Sequence, residues 1–388
     1  MSEKLYWNHP YQKDFEAKII DIDEQGIVLD RTAFHPEGGG QLSDRGKISY
    51  KEEKFNVINV FKEKDQIIHQ LEGKFQDKFN VGNSVNGIID WDWRYGLMKA
   101  HTSQHLFSAT LKKFCKVNTD KAYIGFEDVT IEFHSKISYD QLKNVLKAVN
   151  QIFSLKNISI STKIIDKSQI ANYKNKIRGD IQLKDTIRLV ISENYDMVCC
   201  GGTHLKNSTE IGMIFVYEFK SGNKIKYYLG SKALAKIAEV NLDLIESMDL
   251  VNQPIFDLKR VINDHSQKIE NLEIENQSLS EEILRSLSKN PIEKMGEIKV
   301  FLLNSKLDDK LIQQSFNTFP KKSLLFIKSE KNIMIFSNSK MISARSLIKT
   351  FLDKYGGKGG GSDFKAQALL DKPPENILNY LNELLSKD

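Results

Sequence analysis

Two residue pairs in this 388-residue chain have the types and spacing to hold a metal ion: His101-Thr-Ser-Gln-His105 and Cys200-Gly-Gly-Thr-His204. On a helix, side chains at i and i+4 lie one above the other on one face, so His101 and His105 would present their imidazoles to a common point. In the second pair, Gly201 and Gly202 allow a tight turn in which a thiolate and an imidazole converge. Each pair alone has a plain alternative: two core or surface histidines, or a buried free cysteine. Together, His101, His105, Cys200 and His204 make a donor set suited to Zn²⁺, which takes nitrogen and sulfur ligands in a tetrahedron. With four protein ligands the site is either closed and structural, or catalytic with a loose ligand (His204) or an expanded coordination shell when substrate binds.

Two glycine-rich runs are further candidates. Glu37-Gly38-Gly39-Gly40-Gln41 could offer backbone N–H groups to a phosphate or a ribose; a flexible hairpin tip is the equal alternative. Gly357-Lys358-Gly359-Gly360-Gly361 resembles a phosphate cradle, but it is not the G-x-x-x-x-G-K-[ST] loop of nucleotide triphosphatases. No G-x-G-x-x-G dinucleotide fingerprint follows a strand either, so neither cofactor is supported. Of the three cysteines, Cys199 is expected to face away from Cys200, and Cys115 to sit in the core.

The elements that must position these residues divide the chain into four expected parts. Its length exceeds one compact core, and its 40% hydrophobic and 28% charged content is that of a globular protein. Residues 1–90 read as a small β-barrel, with short apolar runs at Ala17–Asp23, Gly26–Leu29, Phe55–Val60 and Gln66–Gln70 separated by turn residues. Residues 91–238 mix helix and strand. Asp92 is the expected cap of a helix from about Trp93 to Phe114, with Leu97, Met98, His101, His105, Leu106, Ala109 and Leu111 forming its apolar stripe. A second helix is expected over Tyr139–Phe153, and strands at Val129–Phe133, Ile187–Ile191, Met213–Tyr217 and Lys224–Leu229.

Residues 239–291 read as a helical, coiled segment. From Leu258 the apolar spacing alternates four and three, with Ile262, Ile269, Asn276 and Ile283 at a and Leu258, His265, Leu272 and Leu279 at d. That pattern fits a parallel dimer with one buried Asn fixing register, or one arm of an intramolecular hairpin. Residues 292–388 read as a C-terminal α/β domain, with strands at Lys299–Leu303, Leu324–Lys328 and Ile333–Phe336 and helices near Lys310–Phe316, Ala344–Lys354 and Glu375–Leu385. The expected class is therefore a multidomain α+β protein. Residues 291–388 carry 16 Lys/Arg against 11 Asp/Glu, which accounts for the whole net charge of +5. A basic tail suits a polyanionic partner, although surplus lysine is also ordinary soluble surface. No apolar run approaches the ~20 residues of a membrane span, the first residues lack a signal-peptide pattern, and three cysteines make no disulfide framework. A reducing cytoplasm is the expected location.

With these residues in view, a family resemblance emerges. Trp93-Arg94, Met98-Lys-Ala-His101-Thr-Ser-Gln-His105-Leu, Val129-Thr130-Ile-Glu and Cys200-Gly-Gly-Thr-His204 with Glu210-Ile-Gly resemble the editing domain of alanyl-tRNA synthetase. Phe34-His-Pro-Glu-Gly-Gly-Gly-Gln41 with Asp44 and Gly46 is similar to the N-terminal barrel loop of its freestanding relatives. Gly356-Gly-Lys-Gly-Gly-Gly361 with Ala366-Gln367-Ala368 is similar to the C-terminal domain that this synthetase shares with DHH-type phosphoesterases. The segments stand in the family's order over nearly the whole chain, which has no room for an aminoacylation core. The chain is thus similar to the long freestanding alanyl-tRNA editing (AlaX) proteins.

The resemblance implies zinc-assisted deacylation of Ser-tRNA(Ala), and of Gly-tRNA(Ala), in the cytoplasm. A pocket that accepts alanine cannot reject serine or glycine sharply, so a second sieve is needed. It implies that Thr130 reads the serine hydroxyl, while strand propensity alone would also place a threonine there. Gln41, Thr130 or a ribose hydroxyl would orient the attacking water. Gly38, Gly39, Gly40, Gly357, Lys358, Gly359 and Gly360 would contact the tRNA, and a homodimer would form through the coiled segment and C-terminal domain. The chain departs from the family at His35, where tyrosine is usual, at Leu42, where proline is frequent, and at the extra Cys199. Two other readings stand beside this one: editing of Ser-tRNA(Thr), as in threonyl-tRNA synthetase, and a non-catalytic zinc-stabilised tRNA-binding module.

Overall fold

The computed structural model describes residues 2–181, 185–304 and 307–372, together with Ile377 and Tyr380. The expected helix near Glu375–Leu385 therefore lies largely outside the described residues. By internal contacts the chain divides into two compact units, Met1–Ser247 and Met248–Asp388.

The first unit opens with a closed antiparallel barrel. Its strands run Asp14–Ile22, Ile27–Leu29, Gln66–Leu71, Glu53–Glu63, Gly46–Tyr50 and Ser84–Ile89 in order around the wall. Alternation puts Phe15, Ala17, Ile19, Ile48, Val57, Val60 and Val85 inside, and closure leaves no free sheet edge. A 25-residue helix, Trp91–Cys115, follows directly. Its cap is Asp90, which accepts from the Trp93 N–H at 3.3 Å, and not Asp92, which sits in the first turn. The helix is not a one-sided surface helix either. Residues 96–98 and 100–111 are all buried, so it is the axis of the unit.

Helix Tyr139–Ser154 and a four-stranded antiparallel sheet pack around this axis. The sheet order is Ile214–Lys220, Lys224–Leu229, Asp128–Phe133, Thr119–Gly125. A three-stranded sheet, Ile160–Asp166, Thr186–Ser192 and Asp196–Cys199, carries the cysteine turn. Three of these strands, Thr119–Gly125, Ile160–Asp166 and Asp196–Cys199, go unannounced by the sequence because they are short of apolar alternation.

The region 239–291 is two helices, Gly230–Leu250 and Leu258–Lys289. Pro254 and Asn252, which adopts a φ of 51°, break the segment. In the second helix Val261, Ser280 and Leu284 are buried, whereas Ile262, Ile269, Leu272, Leu279 and Ile283 of the predicted seam are exposed.

The second unit also holds a six-stranded sheet, ordered Glu293–Met295, Ile298–Leu303, Ser323–Ser329, Asn332–Ser337, Lys365–Leu369, Lys358–Gly361. Helices Asp309–Phe316 and Ala344–Tyr355 pack on it through apolar clusters that include Phe301, Phe316, Phe326 and Phe351. Within the predicted Gly357–Gly361 cradle, Lys358–Gly361 forms an exposed edge strand. A Cβ on Gly359 would come within 2.4 Å of the Gln367 carbonyl oxygen, so the close approach of the two strands requires the glycine.

Candidate metal centre

His101 and His105 lie one turn apart in the middle of the buried helix, where the i, i+4 spacing stacks them on one face. The hairpin ending at Cys199 delivers Cys200 to the same place, and the turn that follows delivers His204. One ligand atom from each of His101, His105, Cys200 and His204 lies within 4.8 Å of the others. The Cys200 sulfur is 3.4 Å from Nε2 of His101 and 3.4 Å from Nε2 of His204. A tetrahedral zinc with bonds of about 2.0–2.3 Å needs ligand separations of this size. Cys199 packs against Ile165, Ile187 and Leu189 and is not one of the four clustered residues, but it lines the same cavity as Cys200.

Hydrogen bonds fix which nitrogen each imidazole offers. His101 Nδ1 is 2.6 Å from Gln41 Oε1, a carbonyl oxygen that can only accept. The proton therefore sits on Nδ1 and the Nε2 lone pair faces the cluster. Gln41 Oε1 also accepts from the Thr203 N–H at 3.2 Å, and its amide donates to Thr203 Oγ1 at 3.0 Å. His204 Nδ1 is 3.3 Å from Thr102 Oγ1, which leaves its Nε2 to the cluster as well. Burial pushes His101 down to about 3, and holds His105 and His204 well below the ordinary histidine range, with neighbouring imidazoles and arginines adding to the effect. All three are thus neutral with free lone pairs, the form a metal requires. Burial raises the Cys200 thiol, while the Gly202 N–H and Arg188 act in the opposite direction. A cation in the cluster would draw off that thiol proton. The residues present fit zinc.

Two supports of the site, Arg188 and Trp7, were not singled out in the sequence, whereas Arg94, Asp44 and Gly202 stood in its motifs without a role. Arg188 is buried and donates to the carbonyls of Cys200 at 3.0 Å, Gly202 at 2.8 Å and Trp7 at 3.3 Å. It pins the cysteine turn to the N-terminal segment. Trp7 Nε1 donates to the Gly201 carbonyl from the same side, at 3.0 Å. A Cβ on Gly202 would lie 2.3 Å from His101 Cε1, so no larger residue fits while that imidazole holds its place. Arg94 and Asp44, both fully buried, form a two-bond pair, with Arg94 Nε to Asp44 Oδ1 at 2.7 Å and Arg94 Nη2 to Asp44 Oδ2. Asp44 Oδ2 also accepts the His35 N–H. This pair ties the glycine loop to the ligand helix, and removing one partner of such a buried pair costs about 3–5 kcal/mol.

That loop is not a free tip. Gly40 and Ile124 share a 2.8 Å backbone bond, and Gly38 and Gln41 bond each other at 3.0 and 3.1 Å. Gly38 and Gly39, with His35, Lys62, His101, Gln104, His105, Arg188 and Cys200, line a cavity of about 460 Å³. Gly40 packs beneath, at a φ of 83°. Thr130 is not among the lining residues. Its strand neighbours Val129 and Ile131 point into the core under the ligand helix, so alternation turns Thr130 to the opposite face, between Tyr123 and Lys226. Gly357, Lys358, Gly359 and Gly360 belong to the second unit.

Against known proteins, the chain is 32% identical over 99% of its length to the alanyl-tRNA editing protein AlaX-L of Pyrococcus horikoshii, and covers 98% of that protein. This chain belongs to the alanyl-tRNA editing protein family. It is also 28% identical to an alanine–tRNA ligase of Methanococcus maripaludis and 26% identical to that of Ignicoccus hospitalis, over its whole length. It spans only 44% and 43% of those ligases. The profile of tRNA synthetases class II (A) matches residues 4–93, the barrel and the start of the ligand helix. Among the described residues of this editing-family member, no helix is long and apolar enough to cross a membrane.

Proposed function

We propose that this editing-family chain hydrolyses the ester of tRNA(Ala) mischarged with serine, and with glycine, at the cavity over His101, His105, Cys200 and His204. As a member of an editing family it is an aminoacyl-tRNA deacylase. The observation that carries the finer reading is the convergence of the four ligand atoms within 4.8 Å, with His101, His105 and Cys200 lining a cavity. Water adds to the ester carbonyl, the bond to the ribose oxygen breaks, and the products are a free amino acid and a ribose hydroxyl that takes the proton. A bound zinc would supply Lewis-acid polarisation or a more acidic water.

The chain's own residues do the rest. Gln41 holds His101 in one tautomer, as an orienter of a ligand and not as a base. Arg188 holds the Cys200 turn, and Gly38 and Gly39 bring bare backbone to the cavity, where a bulky nucleotide terminus needs space. We place Thr130 outside this constellation. The basic tail, with Lys358 exposed on its edge strand, contacts the tRNA body electrostatically, and affinity falls steeply with salt. The exposed Ile262–Ile283 seam supports a dimer of two copies. Three unpaired cysteines suit a cytoplasmic location.

The deciding experiment is deacylation of Ser-, Gly- and Ala-charged tRNA(Ala) and of Ser-tRNA(Thr), with and without chelator. Chelator-sensitive cleavage of the first two, with Ala-tRNA(Ala) spared, is expected. Cleavage of Ser-tRNA(Thr) alone would move the substrate, and binding without cleavage would make the chain a binding module.

A further inference from the structure

His35 is 4% exposed and lines the cavity with Gly38 and His101. Its backbone is fully employed: the N–H donates to Asp44 Oδ2 and the carbonyl accepts from the Asp44 N–H at 3.0 Å. The ring stands edge-on to Tyr6, with centroids 5.2 Å apart. Its Nδ1 is buried and has no hydrogen-bond partner. It is not one of the four clustered ligand residues.

An imidazole that carried its proton on Nδ1 would bury an unpaired donor. Such orphaned N–H groups are rarer and more costly than an under-used acceptor. The proton therefore belongs on Nε2, the nitrogen on the far side of the ring. Burial, together with Arg94 and His101 nearby, keeps the ring neutral. A neutral donor on a cavity wall, rigidly mounted on the Arg94–Asp44 pair, is preorganised for an oxygen acceptor.

We propose that His35 contacts the substrate directly, its Nε2–H donating to an oxygen of the ester end, either the ester carbonyl or a hydroxyl of the terminal ribose. This rests on the reading of the cavity as an ester-cleaving site. No covalent change occurs at the imidazole itself. Two sources share the acceptor chemistry, and they separate kinetically. A bond to the carbonyl strengthens as charge develops and appears in kcat, whereas a bond to the ribose is made equally in the ground state and appears in KM.

The test uses full-length, zinc-loaded protein with His35→Phe, which keeps the ring and removes the donor, and His35→Gln, whose amide can reach the same region. Deacylation of Ser-tRNA(Ala) is measured alongside zinc content, thermal midpoint and affinity for an amide-linked, non-hydrolysable seryl-adenosine analogue. His35→Phe is expected to lose roughly 100-fold in kcat/KM, with zinc content and midpoint unchanged, and His35→Gln to recover part of it. A fall in kcat alone assigns the carbonyl; a rise in KM with weaker analogue binding assigns the ribose. If the phenylalanine variant does not fold, His35→Asn, too short to reach, should show the same loss. A folded, zinc-loaded variant within twofold of wild type overturns the contact, as does equal impairment of Phe and Gln variants with loss of zinc. A wild type that cleaves no charged tRNA sinks the reading of the cavity itself, and the contact with it.

Discussion

The two units bury different things. Met1–Ser247 encloses His35, Gln41, Asp44, His69, Arg94, His101, His105, Glu127, Arg188 and His204, whereas among the described residues of Met248–Asp388 the buried polar side chains are Ser280, Ser323 and Ser337. The second unit is held by an ordinary apolar core around Phe301, Phe326 and Phe351. Buried charge and imidazole are expensive unless every group is paired, so their concentration in one unit marks where the chemistry lies. Each unit also carries a glycine-rich run, and the two serve different ends. Gly38 and Gly39 shape a cavity wall, while Gly357–Gly361 lets two strands of a sheet edge lie close.

The sharpest way to break this contrast is at the cluster. Cys200→Ala or His101→Ala should abolish stoichiometric zinc binding and lower deacylation by more than about 100-fold, since even outer partners of a metal ligand are worth about 10–100-fold. Undiminished turnover in a zinc-free variant would make the metal accessory. Gln41→Ala, which frees the His101 ring, should weaken zinc binding by about 10–100-fold in a chelator titration. An unchanged affinity would show that His101 needs no orienter.

The glycine runs should respond differently to one methyl group. Gly40 has a φ of 83°, and a Cβ added there would lie 2.4 Å from the Ala122 carbonyl oxygen, so alanine forces the loop and Gln41 to move. About 10-fold or more of the deacylation rate should be lost, consistent with strain of about 1–3 kcal/mol. Gly359→Ala should lower the unfolding free energy by about 1–3 kcal/mol without changing kcat. Gly360→Ala, with nothing within 4 Å of its added carbon, should change neither. A kcat effect at Gly359 or Gly360 would give the edge strand a catalytic part.

Acid provides the mildest separation. His69 lies inside the barrel with Nδ1 3.1 Å from the Ile27 carbonyl and Nε2 2.8 Å from Thr32 Oγ1, and burial lowers it from 6.5 to about 4. The unfolded chain takes up a proton near pH 6.5 that the folded barrel refuses until about pH 4. Stability is therefore intact above pH 6.5 and falls between 6.5 and 4, by on the order of 3 kcal/mol from this group. Thermal melts across that window should show a falling midpoint, and His69→Gln should make the fall shallower, the rest of the slope coming from the other buried histidines of the unit, His35, His101, His105 and His204. The second unit, with no buried histidine among its described residues, should show no such window; parallel losses in both units would undo the contrast.

Much of this was legible in the chain itself. Alternation and turn residues announced a barrel, a 3.6-residue period announced the ligand helix, and i, i+4 spacing with Gly201-Gly202 announced two donor pairs. Those are local properties, written over a few residues and enforced by backbone geometry wherever the segment lands. The tertiary structure alone decided that the two pairs share one point, that Arg188 clamps the cysteine turn and that Arg94 locks the loop bearing Gln41 and His35. It also turned Thr130 away from the cavity and made a sheet edge of the second glycine run. Those outcomes depend on which surfaces meet, and burial and hydrogen-bond pairing between residues far apart in the chain leave no periodic trace in a sequence.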